Sequence, residues 1–276
     1  MNLMVKAYGK VNLWLDITGR LDNGYHSLNT VMRRIDLFDE IELKTGDKGI
    51  KVSCDNPFVP SDERNIAYKA AAAFYEATGL PPEISIAIKK VIPVEAGLGG
   101  SSTDGAAVLT ALNTLYGDIL SKEELIRMGT VLGADVPFCI TGGTAKCGGI
   151  GDIITPMESG ELYLVIVKPN FVCNTTKGYR SYDRCPLSEN SGFSLFCEKL
   201  DKSCLHWGKD MYNIFERLYN NYEISDIKDA LMDNGAHGAL MSGSGSSVFG
   251  VFGTLEEAEK CFKAIPYDEK YVVRAL

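Results

Sequence analysis

The sequence predicts an α+β fold in two domains, residues 1–157 and 158–276. Runs with the two-residue alternation of strands and runs with helical spacing are segregated in both halves, which is typical of this class. After residue 158 the predicted elements follow the order β-α-β-β-α-β, the ferredoxin-like pattern. A chain of 276 residues is also long enough to form two small domains that each bury a core.

The first predicted element is a strand at residues 5–17, where apolar residues alternate. Lys10 and Asn12 are two residues apart, so they share the opposite face of this strand. Asn23-Gly24 is a turn signal between strands. Further strands are predicted at 28–43 and 50–54, followed by a helix at 61–78 that ends at Gly79.

The segment after a predicted strand at 83–90 and before a predicted helix at 103–116 is rich in glycine and hydroxyl residues. Glycines let backbone N–H groups crowd around a ligand, and a helix N-terminus attracts anions, so the segment suits a polyphosphate. An ordinary turn remains the alternative. The candidate residues are Val94, Glu95, Ala96, Gly97, Leu98, Gly99, Gly100, Ser101, Ser102, Thr103 and Asp104.

Three familiar phosphate loops are excluded at this segment. No lysine closes it as in G-x-x-x-x-G-K-[ST], and Ser102 stands where the dinucleotide fingerprint has its third glycine. The protein-kinase motifs H-R-D and D-F-G are missing from the sequence. The loop is therefore of another kind.

The remaining elements follow from capping signals and periodicity. Ser121 and Glu124 form a capping box for a helix that ends near Leu132, and Thr254 and Glu257 form another. Residues 184–208 are polar and irregular, as in a variable insertion. Strands are predicted at 138–140, 144–147, 162–167, 236–241, 247–252 and 271–274, and helices at 175–183, 210–220 and 225–234.

Composition excludes several classes of protein. A net charge of −8 without a basic run argues against nucleic-acid binding, and no apolar stretch is long enough to span a membrane. The eight cysteines form no C-x-x-C pair and there are only three histidines, so we expect no zinc site. Reduced thiols and the lack of a signal-peptide pattern predict a cytoplasmic protein.

The glycine-rich segment resembles the ATP loop of the GHMP small-molecule kinases, P-x-x-x-G-L-[GA]-x-S-S. Four further motifs fall in the same order as in that family, and the resemblance spans nearly the whole chain. It implies a ribosomal-S5-like N-terminal domain, a ferredoxin-like C-terminal domain, and use of ATP and Mg²⁺. The four motifs are Ala7–Leu13, Asp22–His26, Leu132–Phe138 and Ser242–Gly245.

The resemblance also implies residue roles. Asp135 corresponds to the family's catalytic base, and Lys10 to the lysine that acts with it. From the residues alone, a helix-end turn is the favoured interpretation of Asp135, and a solvated strand residue is the favoured interpretation of Lys10. The implied substrate-binding residues are Asn12, Tyr25, His26, Tyr179, Ser242, Gly243 and Ser244.

The Gly-Tyr-His turn after Lys-x-Asn is typical of GHMP kinases whose substrate is a cytidine diphosphate alcohol. The resemblance implies that Tyr25 stacks on the cytosine of the substrate and that His26 forms hydrogen bonds to the edge of that base. The implied reaction is phosphorylation of the 2-hydroxyl of 4-diphosphocytidyl-2-C-methyl-D-erythritol, in non-mevalonate isoprenoid biosynthesis, by a monomer or homodimer. A kinase for another alcohol, such as mevalonate or homoserine, and a catalytically idle nucleotide-binding relative are the alternatives.

Four positions depart from the family pattern. Tyr8-Gly9 replaces the usual Pro-Ala before the lysine. Compared with the usual longer form of the loop, G-L-G-G-G-S-S-[DN], Ser101 takes the place of the last glycine and Thr103 that of the second serine. A serine at position 101 must avoid backbone conformations that only glycine tolerates. These changes bear on substrate and rate more than on fold.

Overall fold

The computed structural model describes residues 1–46, 48–219 and 221–276. Its strands are β1 (Asn2–Arg20), β2 (His26–Thr45), β3 (Gly49–Cys54), β4 (Glu83–Lys89), β5 (Thr144–Gly148), β6 (Ile153–Met157), β7 (Tyr163–Val167), β8 (Tyr212–Asn213), β9 (Gly238–Met241), β10 (Val248–Phe252) and β11 (Lys270–Arg274). Its helices are α1 (Ile66–Thr78), α2 (Gly100–Leu115), α3 (Lys122–Leu132), α4 (Val136–Thr141), α5 (Thr175–Arg184), α6 (Phe193–Cys197), α7 (Ile214–Tyr219), α8 (Tyr222–Asp233) and α9 (Leu255–Ala264).

The chain divides into two compact units, each built from separate segments. The first unit comprises residues 1–9, 37–94 and 99–142, and the second comprises residues 10–36, 95–98 and 143–276. β1 and β2 each contribute residues to both units. The domain boundary predicted between residues 157 and 158 stays a prediction.

The first unit combines a sheet with helices α1 to α4. Its strand order is β3-β4-β2-β1, with β3 parallel and β2 antiparallel to β4. Helix α1 begins five residues later than predicted, because the Asn65 side chain accepts the N–H of Ala67 at 2.8 Å and caps it there. Gly79, in the left-handed region, ends it as expected.

The second unit contains two sheets. One has the order β6-β5-β2-β1-β8, and the other is antiparallel with the order β11-β7-β10-β9. The second order is that of a ferredoxin-like domain, so the predicted β-α-β-β-α-β pattern is confirmed. β10 is buried along its whole length and α8 and α9 pack on this sheet, so its core excludes water.

Two predictions about secondary structure are wrong. Residues 138–140 lie in helix α4 and not in a strand, because a short apolar run does not distinguish the two and Pro137 suits the first turn of a helix. Residues 184–208 are not irregular throughout, because they contain helix α6. Phe193 and Phe196 of α6 are buried against Trp14, with ring centroids 5.7 and 5.3 Å from it.

The remaining predicted elements are present with small shifts of their ends. The helix predicted at 210–220 begins at Ile214 and ends at Tyr219, and Asn220 lies outside the described residues. Both predicted capping boxes are formed, at Ser121 with Glu124 and at Thr254 with Glu257. Of the helices that the described residues form, none has the length and apolar composition needed to cross a membrane.

Candidate active site

Lys10 and Asn12 lie in the part of β1 that belongs to the second unit, and both are buried. Their exposed fractions are 4% and 2%, so Lys10 is not a solvated strand residue. Its ammonium donates to Oδ1 of Asn12 at 2.7 Å. Nδ2 of Asn12 donates to the Thr30 hydroxyl at 2.9 Å, and that hydroxyl donates to the Trp14 carbonyl at 2.6 Å. This chain of hydrogen bonds holds the Asn12 carbonyl toward the ammonium.

Two loops of the second unit clasp each other beside these side chains. We call residues 95–98 the Gly97 loop and residues 242–247 the Ser242 loop. The Ser242 hydroxyl donates to the Gly97 carbonyl at 2.9 Å and accepts from the backbone N–H of Asn12 at 3.4 Å. The Ser242–Gly245 motif therefore packs against residues 95–98 of the glycine-rich segment.

Gly97 makes this clasp possible. Its φ is +76°, and a Cβ atom added there would collide with the Ser242 carbonyl oxygen. The backbone N–H of Lys10 donates to the Leu98 carbonyl at 2.9 Å, which ties the Gly97 loop to β1. The N–H of Ser247 donates to the Ala96 carbonyl at 3.1 Å and closes the other end.

The other predicted residues of the two loops have different surroundings. Val94, just before the Gly97 loop, is half-buried, whereas Glu95 is exposed and has a φ of +55°, which is uncommon outside glycine. Gly243 has a φ of +58°, and a Cβ atom there would lie 3.5 Å from Oδ1 of Asn12. The hydroxyl of Ser244 is 2.6 Å from that of Thr175.

The start of helix α2 is in the first unit. Gly99, with a φ of 74°, is the N-cap and the helix begins at Gly100, so the predicted loop residues from Gly100 to Asp104 are already helical. Gly99 offers no side-chain cap to the first-turn N–H groups. Ser101 is exposed and Ser102 is half-buried. The helix N-terminus therefore presents backbone donors of the kind that bind phosphate.

Thr103 and Asp104 have side chains that point into the first unit instead. Oγ1 of Thr103 donates to the Tyr8 carbonyl at 2.6 Å. Oδ2 of Asp104 is 2.9 Å from the Lys90 ammonium, which also lies 2.5 Å from Oδ2 of Asp39. All three groups of this ion triad are buried. A role for Asp104 toward a ligand stays a prediction that its side chain does not support.

The ion triad predicts a pH dependence of stability. Burial, together with the nearby Asp39 carboxylate and against the effect of Lys90, raises the pKa of the Asp104 carboxyl to about 7 from an ordinary value of 3.8. Burial favours the neutral amine of Lys90, but the two carboxylates keep its pKa above the usual value. Lys90 therefore stays charged over the pH range in which Asp104 titrates. Between pH 3.8 and about pH 7 the native state binds more protons at Asp104 than the unfolded state does. The contribution of Asp104 to stability therefore falls as pH rises through this range.

We expect Asp104→Asn to become more stable relative to the parent as pH rises from about 4 to about 7, because the variant lacks this titration. Urea unfolding of both proteins across that range measures the difference. Asp229→Asn, at an exposed position, is the matched control and should show no such trend. A free-energy difference that stays constant across the range would contradict the prediction.

Asp135 also belongs to the first unit. It is the half-buried N-cap residue of α4, with φ −86° and ψ −13°. A Cβ atom added at Gly133 would lie 3.8 Å from Oγ of Ser102. Segment 133–135 therefore lies beside the first turn of α2, where the backbone donors are.

A second group of predicted residues forms a ring stack, our name for His26 and Tyr179. Their ring centroids are 4.7 Å apart at an interplanar angle of 20°, and His26 is buried. Nε2 of His26 lies 2.8 Å from Oδ1 of Asp183, and this hydrogen bond lowers the pKa of Asp183. Because that carboxylate is ionised and can only accept, Nε2 is the donor. Tyr25 is 60% exposed, so its ring is available to a ligand.

Several residues of the site were missed by the sequence interpretation. Asp183 follows Tyr179 by four residues on α5, so helical spacing could have identified it as a neighbour of the same face. Thr30 and Asn213 carry no such local signal, because the hydrogen bonds that tie them to the site join groups remote in sequence.

Within the described ranges, no three His, Cys, Asp or Glu side chains are grouped so that they could hold a metal ion. Mg²⁺ in phosphoryl-transfer sites is commonly bound by one or two carboxylates together with phosphate oxygens. Such an arrangement does not need a cluster of three.

Two family models match this chain. The model for the GHMP kinases N terminal domain matches residues 65–143, and the model for the GHMP kinases C terminal matches residues 192–269. A curated 4-diphosphocytidyl-2-C-methyl-D-erythritol kinase of Clostridium botulinum (strain Alaska E43 / Type E3) is 41% identical over 272 residues, which cover 97% of this chain and 96% of the relative.

Solved structures agree with these matches. The crystal structure of a 4-(cytidine 5'-diphospho)-2C-methyl-D-erythritol kinase has a TM-score of 0.85 and 29% identity and covers 99% of each chain. The crystal structure of the L. major mevalonate kinase has a TM-score of 0.77 at 18% identity, covering 99% of this chain and 96% of that one, which shows a shared fold alone. The predicted α+β fold is confirmed.

Proposed function

The chain belongs to the 4-diphosphocytidyl-2-C-methyl-D-erythritol kinase family of GHMP kinases, and on that premise we propose the reaction that it catalyses. The reaction is transfer of the γ-phosphoryl group of ATP to the 2-hydroxyl of 4-diphosphocytidyl-2-C-methyl-D-erythritol. Mg²⁺ is the required metal. Eight free cysteines are in keeping with a reducing, cytoplasmic location.

The clasp between the Gly97 loop and the Ser242 loop is the observation that carries this proposal. It brings backbone from two remote segments against the buried pair of Lys10 and Asn12. A glycine backbone beside a buried ammonium supplies N–H dipoles and a positive charge to one ligand region. That combination suits a phosphate chain better than an uncharged ligand.

The residues present fit ATP. Gly99 leaves the first turn of a 16-residue helix without a side-chain cap, so its backbone donors remain for an anion. When bound, ATP supplies the phosphoryl group and Mg²⁺ offsets negative charge on the phosphates. The residues proposed to hold the phosphates are those of the Gly97 loop together with Gly99, Gly100, Ser101 and Ser102.

In this proposal Asp135 is the proton acceptor, and Lys10 stabilises the negative charge that develops during the transfer. The Asp135 carboxylate accepts the proton of the 2-hydroxyl as its oxygen attacks. The Lys10 ammonium stabilises negative charge on the attacking oxygen and on the transferring group. Asn12, whose carbonyl accepts from Lys10, keeps that ammonium in one position.

The ring stack and Tyr25 make the cytidine end of the site. Tyr25 has an exposed ring that can stack on a base, and His26 is held by Asp183 and Tyr179 so that its ring keeps one orientation. Since Nε2 of His26 donates to Asp183, the opposite ring nitrogen is the one left for the pyrimidine edge.

A substrate panel tests the proposal. The protein is incubated with Mg-ATP and, separately, with 4-diphosphocytidyl-2-C-methyl-D-erythritol, mevalonate, homoserine and galactose, and ADP release is measured. We expect turnover with the cytidine diphosphate alcohol and competition by CDP. Turnover with another alcohol alone would make the chain a GHMP kinase of different substrate, and none with any alcohol would favour the idle relative.

We expect Tyr25→Ala to weaken binding of the alcohol substrate by about 1–3 kcal/mol, the usual worth of base–aromatic stacking. His26→Ala should weaken it too, because hydrogen bonds to the pyrimidine are lost. Calorimetric titration with substrate and with ATP measures both effects, and ATP affinity should stay near that of the parent. Tyr222→Ala, at an 81% exposed tyrosine outside the site, is the control. Unchanged substrate affinity in both variants would refute the cytidine assignment.

A further inference from the structure

The 212–216 segment is a short stretch that no sequence motif singles out. It begins with β8, which pairs in parallel with Trp14 and Leu15 of β1. Because β1 also carries Lys10 and Asn12, the segment is attached to the strand at the centre of the proposed site.

The Asn213 side chain is 2% exposed and forms three hydrogen bonds. Nδ2 donates to the carbonyls of Met241 and Gly243 at 2.7 and 2.8 Å, and Oδ1 accepts the N–H of Phe215 at 2.9 Å. The two carbonyls are those of the residues on either side of Ser242. Since both amide donors are used, the side chain fixes the backbone on both sides of that serine.

Glu216, three residues after Asn213, also helps to fix the position of Met241. Its Oε1 accepts the N–H of Met241 at 2.7 Å, and its Oε2 lies 2.5 Å from the Lys228 ammonium. Met241 is therefore held at its N–H by Glu216 and at its carbonyl by Asn213. The hydroxyl of Ser242, which donates to Gly97, takes its position from this arrangement.

Phe215 links the same segment to the ring stack. Its ring meets Tyr179 edge to face, with centroids 5.2 Å apart at 89°, and stacks on Tyr219 at 5.9 Å and 25°. A Cβ atom added at Gly178 would lie 2.7 Å from the Phe215 ring, so α5 packs tightly on it. The position of Tyr179, and through it of His26, depends on this ring.

We infer that the 212–216 segment positions both ends of the site: Asn213 positions the Ser242 loop, and Phe215 positions the ring stack. This inference rests on the proposed function. Neither residue touches the reacting atoms in it; each acts through the groups it holds. The two roles can be tested separately, because Asn213→Asp keeps the Oδ1 that accepts the N–H of Phe215, and Phe215→Leu keeps the side chain of Asn213.

Asn213→Asp tests the first role, because it keeps the shape of the side chain and replaces the amide nitrogen, which donates twice, with a carboxylate oxygen that faces two carbonyl oxygens. Because the Ser242 hydroxyl donates to the Gly97 carbonyl and the Gly97 loop is proposed to hold the phosphates of ATP, we expect this variant to bind Mg-ADP at least about tenfold more weakly, as for the loss of one hydrogen bond. CDP, whose base is proposed to bind at Tyr25 and the ring stack, should bind within about threefold of the parent. The KM for ATP should rise in parallel. Asn113→Asp is the matched control, a buried amide that bonds the backbone of Leu120 outside the site.

Phe215→Leu tests the second role and should give the reverse result. We expect CDP to bind about tenfold more weakly and Mg-ADP within about threefold of the parent, since the ring that supports Tyr179 is lost. Phe249→Leu, which removes an equally buried ring from β10, is the matched control for a general loss of stability. Urea unfolding of all four variants reports that loss separately.

Calorimetric titrations with Mg-ADP and CDP distinguish the outcomes without any need for turnover. Opposite changes in Asn213→Asp and Phe215→Leu, absent from both controls, would support the inference. Suppose that the parent binds both nucleotides. If each variant then binds both as tightly as the parent does, or loses affinity for both together, the inference is overturned and the proposed function stays intact. A parent that binds neither nucleotide would overturn the proposed function and this inference with it.

Discussion

We expect Asp135→Asn to lower kcat by roughly a hundredfold to ten-thousandfold, the usual range for losing a general base. The amide keeps the shape of the carboxylate but cannot accept the hydroxyl proton. Because the proposal gives Asp135 no phosphate contact, ATP affinity should remain near that of the parent. Initial-rate kinetics and calorimetric titration with ATP measure the two quantities separately.

The control for this variant is Asp226→Asn, at an exposed position on α8. It should keep the turnover of the parent. Turnover near the parent's in Asp135→Asn would remove Asp135 from the mechanism, and a large loss of ATP affinity would assign it to nucleotide binding instead.

We expect Lys10→Ala to lower kcat by a similar factor, because the ammonium would stabilise the charge that develops when Asp135 takes the proton. Lys10 is also the donor to Asn12, so its removal leaves the Asn12 carbonyl without that bond. Kinetics of Lys10→Ala beside Lys89→Ala, a control at an exposed lysine paired with Glu40, measure the effect.

The double variant of Lys10 and Asp135 tests whether the two groups act together. If they act as a unit on one hydroxyl, the combined loss should be smaller than the product of the two single losses. A double-mutant cycle of kcat gives this coupling. Strictly multiplicative losses would indicate independent roles and contradict the proposed division of work.

The family assignment depended on residues that are close in sequence. The loop from Pro93 to Ser102, the Gly-Tyr-His turn and the Gly-Ala-Asp segment each carry a spacing that is recognisable without a structure. Local spacing works here because glycine conformation and helix-terminus donors are properties of consecutive residues. The two capping boxes were predicted for the same reason.

Sequence reasoning failed where several local interpretations were equally good. The apolar run at 138–140 fits a strand or a buried helix, and only the packing of α4 in the first unit decides for the helix. Phe193 and Phe196 lie in a stretch that is polar on average, yet both are buried because Trp14 provides a surface for them.

The sequence by itself determined the class of fold and predicted a phosphate loop and the candidates Lys10, Asp135 and His26, because short-range spacing and motif order carry the resemblance to the family. The tertiary structure alone decided which of these groups are held and by what. The burial of Lys10 against Asn12, the partnership of His26 with Asp183 and the hold of Asn213 on the Ser242 loop all join residues that are two to 157 positions apart. The distant pairs arise from chain packing, which brings donors and acceptors together across the fold and leaves no periodic trace in the order of the amino acids.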